Sequence, residues 1–387
     1  MDPSVPWDDD DVETRLAAIQ ALTDPVELVY AARQAYFDDV RWAALERVCD
    51  QALYVEAALD DLSGYVRMLA LGRVSDQTVL RRVALKDTSW DVRCEAVRQL
   101  TDQTIIAEVA CAVSHWKARC VAVARIEDQT VLQRLALQDR DFLVRTAAVE
   151  RVCDPTVLAQ VANGDFNDYV RRAALRRISD QSVLAQATLT DKDAYTRRTA
   201  AERVTDQAIL RQVALQDPEA SVRLTAVGRL DDQAVLAQVA LTDGDPEVRL
   251  GAVGRIADQT TLAKVARTER EQRVREAAVG RIDDQGTLKE LALGDGRWEV
   301  RAEAVARIAD EEVLKRIALE DPEPYVRYPA MMRLEDQVGL RRVALADPDL
   351  SVRSAAVWRI TDQAILWELA HLDLSWVKCP SALGGGF

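Results

Sequence analysis

The chain has 387 residues, 49% of them hydrophobic but only 5% aromatic, and 64 acidic against 50 basic side chains give a net charge of −14. Such a balance disfavours nucleic acid, whose phosphates are held by basic surfaces, and makes basic partners the easier ones to attract. No stretch is long and apolar enough to read as a membrane span.

The first eleven residues, MDPSVPWDDDD, are acidic and lack the basic and apolar regions of a secretory signal. Cytoplasm is therefore the expected compartment, and Trp7 is expected to cover the first apolar face. Residues 12–23, VETRLAAIQALT, match the second half of a unit that then repeats to the end. An aspartate returns every 26 residues, at Asp24, Asp50, Asp76, Asp102, Asp128, Asp154, Asp180, Asp206, Asp232, Asp258, Asp284, Asp310, Asp336 and Asp362. Numbered from it, the consensus is DQxxLxxVALxDxxxxVRxxAVxRIx, with residues 232–257 a clean copy. A fixed period of this kind marks a repeat array.

Within each unit the spacing predicts two short helices. The aspartate suits an N-cap, and Pro25 and Pro155, which stand directly after it, suit the first helical position. Apolar residues at positions 4, 5, 8 and 9 form one helical stripe. A turn follows near position 12, as in Asp217-Pro218 and Asp243-Gly244. The second helix covers roughly positions 15–25, with 17, 18, 21, 22 and 25 on one face. Position 21 is alanine in every unit, from Ala44 through Ala356 to Ala382, which predicts a close helix crossing. A lone pair of such helices is marginal in water, so stability must come from neighbouring units. At the end, Trp367, Trp376 and Pro380 break the consensus. The expected organisation is a cap segment at 1–11, a continuous array over 12–378 and a flexible tail at 379–387.

The run D-x-x-x-x-V-R-x-x-A, as in Asp87, Val92, Arg93 and Ala96, resembles the second-helix signature of HEAT repeats. The 26-residue length is similar to the leucine-rich variant repeat. The resemblance implies an all-α, right-handed α-solenoid, a superhelix of about fourteen two-helix units, with one helix per unit 3₁₀. It implies an interaction surface rather than a chemistry. The iron–sulfur segment known in the leucine-rich variant family does not carry over, because residues 1–48 hold no cysteine. No cofactor is expected.

Arginine recurs at position 18, including Arg93, Arg145, Arg223, Arg249, Arg301 and Arg353. A row of phosphate-gripping cations is one reading. The structural reading is stronger, because an acid recurs at position 12 in twelve of fourteen units and a buried guanidinium needs such a partner. Arginine at position 24 is expected to pair with capping aspartates or terminal carbonyls. Only two histidines exist, His115 and His371, and no metal-ligand cluster or phosphate loop appears. Neither catalytic nor metal residues are therefore assigned. Cys94 and Cys120 are expected to be surface or half-buried thiols.

Function should sit where the units differ. Positions 15, 16, 19, 20 and 23 face away from the core and, by the resemblance, line a concave surface. They carry Trp42, Tyr65, Met68, Trp90, Trp116, Phe142, Tyr169 and Tyr195, then a second cluster of Tyr325, Tyr328, Met332 and Trp358. Exposed aromatics of this kind mark binding sites; the alternative is that they pack over the inter-helix turn. Gly228, Gly254 and Gly280 at position 23 would smooth a groove or relieve crowding, and Pro329 should distort its helix. The leading function is a non-enzymatic, monomeric scaffold holding a protein or peptide, without nucleic acid or membrane. The alternatives are a structural spacer or assembly subunit, or a HEAT-like enzyme accessory.

Overall fold

The computed structural model describes residues 6–371. They divide into two compact units, the first ending at Ala200 and the second beginning at Ala201. In both, each repeat described in full folds into a pair of α-helices, so the fold is an α-solenoid of helix pairs. The first helix spans ten residues, as in Gln77–Lys86 and Gln233–Thr242. The second spans eight in Phe142–Val149 and eleven in Asp38–Val48. Neither is 3₁₀, contrary to what the leucine-rich variant resemblance implies. Only a last turn tightens, as where Arg125 N–H donates to the Ala122 carbonyl at 2.9 Å. No helix among the described residues is long and apolar enough to cross a membrane.

Where glutamine follows the opening aspartate, the two residues close the repeat at both ends. Asp128 Oδ1 accepts from the Thr130 N–H at 2.8 Å and so caps the first helix. Next to it, the Gln129 amide reaches the far end of the same repeat. It donates to the Arg151 carbonyl at 3.3 Å and accepts from the Cys153 N–H at 2.9 Å. Gln233 does the same with Arg255 and Ala257, at 3.3 and 2.9 Å. An amide can serve both groups because it carries a donor and an acceptor.

Packing follows the small residue at position 21. Ala44, Ala148, Ala226 and Ala356 are all fully buried. Second helices of successive repeats accordingly lie closer together than first helices do. Trp7 is buried, 7% exposed. The helix Pro324–Arg333 runs through Pro329 without a break. Trp376, Pro380 and the 379–387 tail lie outside the described residues.

Candidate functional site

Two arginine rows hold the repeats together. Arg145 is 2% exposed; its Nε and Nη2 clasp Asp165 at 2.7 and 2.9 Å, while Nη1 donates to the Asp139 carbonyl at 2.9 Å. Asp165 is the position-12 acid of the following repeat, so each pair is a bond between neighbours. Arg223 with Asp243, Arg249 with Glu269 and Arg301 with Asp321 repeat the arrangement at 2.6–2.8 Å. Arg353 donates to the Asp347 and Pro348 carbonyls at 2.6 and 3.2 Å. Arg93 departs from the pattern, because Val113 stands where its acid would be.

The second row, at position 24, reaches backbone carbonyls where the preceding repeat's second helix ends. Arg177 Nη1 donates to the Val149 carbonyl at 2.9 Å, and Arg255 Nη2 to the Leu230 carbonyl at 3.0 Å. These cations complement a helix C-terminus. In the pairs named here the guanidinium groups are engaged within the fold, and Arg93 is the exception.

The surface strip has contents beyond this frame. In the first unit Trp90, 39% exposed, stacks on His115 with ring centres 5.7 Å apart. His115 in turn stacks on Trp116 at 6.1 Å, and Lys117 Nζ sits 3.6 Å above the Trp90 ring. Further along, Phe142 meets Tyr169 at 6.1 Å. The Arg172 guanidinium lies 4.5 Å from Tyr169 and 5.6 Å from Tyr195, anchored by Asp168 at 2.9 Å. Tyr169 and Tyr195 are exposed. Cation–π contacts of this kind fix rings in place at the surface.

Other members of the strip separate from this run. Trp42 is half-buried against the buried ring of Tyr54, 6.3 Å away, which is the packing role. Tyr65 is exposed and Met68 half-buried, and no ring contact joins them to Trp90.

In the second unit Tyr325 meets Trp298 at 5.1 Å, and both are exposed. Trp298 occupies position 15, as Trp90 and Trp116 do, and that shared position is the signal by which it could have been found. Tyr328 is half-buried, and Met332 and Trp358 are exposed. His115 and Lys117 were likewise not legible as site residues, because each occurs once rather than periodically, and Arg172 recurs at its position only as Arg198. A Cβ at Gly280 would meet nothing and at Gly228 only that helix's own carbonyls, so these glycines relieve no crowding.

Cys94 is buried rather than at the surface, and burial pushes its thiol up. Burial likewise holds half-buried Cys120 at about 11. Neither thiol is poised as a nucleophile. Among the described residues no group of three or more His, Cys, Asp or Glu side chains is placed to hold a metal ion.

No protein-family model matches this sequence, and no curated protein does. Among solved structures, the YibA protein of E. coli is similar over 72% of this chain and 98% of its own, at 17% identity and a TM-score of 0.25. Importin beta in a polyethylene glycol condition is similar over 94% of this chain at 14% identity, TM-score 0.32. Kap121p bound to RanGTP is similar over 94% at 12% identity, with the same TM-score. This chain spans 66% and 50% of the latter two. None of these likenesses speaks for the leucine-rich variant assignment.

Proposed function

We propose that this protein is a non-enzymatic scaffold that holds a protein or peptide along its second helices. One observation carries the reading: the exposed and half-buried rings from Trp90 to Tyr195 are held in two groups, Trp90 and Trp116 with His115 and Lys117, and Phe142, Tyr169 and Tyr195 with Arg172, rather than buried under the turns. Rings already immobilised lose little entropy when a partner docks, and Trp, Tyr and Arg are the residues that carry binding energy at interfaces. Arg93 apart, the arginines of the two rows described above and the helix caps are engaged inside the fold, which leaves this strip as the variable surface. In the same reading residues 1–11 cap the array, residues 12–378 form it, 379–387 are a tail, and the molecule works as a cytoplasmic monomer.

The test is affinity capture from host lysate, with wild type beside a Trp90→Ala/Trp116→Ala/Tyr169→Ala variant of unchanged thermal midpoint. A partner held by wild type and lost by the variant supports the reading. Equal recovery moves the site to Trp298, Tyr325 and Trp358. Self-association on light scattering, with no partner captured, favours the spacer instead.

A further inference from the structure

Most arginines of the row clasp their acid; Arg275, with Asp295 in register, reaches only the Glu269 and Arg270 carbonyls, and the repeats that lack the acid altogether are the informative exceptions. Two repeats lack the position-12 acid and carry Ala35 and Val113 there. At the first, Arg15 is served by Asp39, at position 16 of the same repeat, with Nη2 and Oδ2 2.7 Å apart. At the second, position 16 holds Lys117. Arg93 therefore has a lysine where Arg15 has a carboxylate.

What Arg93 finds instead is neutral. Its Nε donates to the Asp87 carbonyl and its Nη1 to Ser114 Oγ at 3.2 Å. Further donors converge on the same turn: Arg119 Nη1 and Arg140 Nη2 approach the Ser114 carbonyl at 2.9 and 2.6 Å. Arg119 has its own carboxylate in Asp139 at 2.8 Å. Among the described residues, Arg93, Arg140 and Lys117 have none within ion-pair distance. His115 Nδ1, in the same turn, is buried without a hydrogen-bond partner. Ser114 and Arg140 are exposed, so the locus opens to solvent. A half-buried guanidinium without a counter-ion is costly to hold, and its planar fork fits a carboxylate in two-point contact.

The geometry points to Arg93 as a receptor for a partner's carboxylate: an aspartate or glutamate of an acidic segment completes the missing pair, and an apolar neighbour lies on Trp90 and Trp116. This rests on the scaffold reading and names the chemistry of its partner. The net charge of the whole chain favours basic partners, but at this turn the local charge is the reverse.

Val113→Asp tests it, because it supplies the consensus acid from within and occupies the site. The probe is a fluorescein-labelled peptide of alternating glutamate and leucine, with a glutamine–leucine peptide as control, read by anisotropy on the full chain. Wild type should bind the glutamate peptide at least about tenfold more tightly than the control, the margin of one charge-assisted pair. Val113→Asp should erase that margin while raising the thermal midpoint, and Arg93→Gln should erase it too. Wild type binding both peptides alike, or Val113→Asp binding the glutamate peptide as well as wild type, overturns the proposal. In the second case, loss of binding in Trp90→Ala/Trp116→Ala shows that the strip still binds while the carboxylate anchor falls.

Discussion

That the arginine at position 18 has a carboxylate partner was legible, because it returns with an acid in a fixed register. That the acid belongs to the next repeat was not, since position 12 of its own unit lies nearer along the sequence, 6 residues away against 20. The consequence is a sharp contrast between two ion pairs. Arg145→Ala strands a carboxylate whose side chain is 6% exposed, and should cost about 3–5 kcal/mol in urea unfolding. Arg33 pairs with Glu56 in the open, both side chains nearly half exposed, and Arg33→Ala should leave the midpoint essentially where it was.

The caps behave differently from either pair. Hydrogen bonds from Thr261 and Thr260 hold the Asp258 carboxyl down to about 2. Burial raises the Asp243 carboxyl, but its bonds to Arg223 and the Asp245 N–H outweigh that and leave it lowered. For groups depressed on folding, the stabilisation is complete above the unfolded carboxylate range near 3.8 and is lost as pH falls toward 2. Stability should therefore be flat from neutrality to about pH 5 and decline between about pH 4 and 2, where circular dichroism against pH will follow it.

At the scale of the helix, position 21 was read correctly from sequence alone, since only a close crossing keeps one small residue in every unit. Ala148→Leu should overpack that crossing and cost about 1–3 kcal/mol or more in chemical denaturation. Gly280 ends the helix Gln272–Gly280 with open space around its Cα, so Gly280→Ala should stabilise by about 0.5–1 kcal/mol. The glutamine at position 2 was missed. Its partners lie 22 and 24 residues along the chain, a span that helical periodicity does not register. The 3₁₀ expectation failed for a related reason: it came from a family resemblance, whereas ten residues behind an aspartate cap are enough for regular α-helical bonding.

For the whole molecule, the architecture follows from the strict 26-residue period, while the candidate site depends on residues that occur once. His115 and Lys117 acquire meaning only beside Trp90, a full repeat away. Strict register also predicts what the array tolerates. Removing residues 232–257, one complete repeat, should leave a folded, helical protein with a modestly lower midpoint, because positions on either side still match. Removing half as many residues from the same place should abolish cooperative melting of the second unit, since arginines would then face the wrong groups.

The position-24 arginines carry one more implication. What they chiefly grip in the preceding repeat is main-chain oxygen, which every residue possesses, although Arg255 and Arg307 also reach Asp231 and Asp283. Joints made this way do not ask which side chains the neighbour carries, so one segment can follow another without mutual adaptation. A gene encoding such parts can lengthen by copying, and each new copy begins with a sound joint and an uncommitted face.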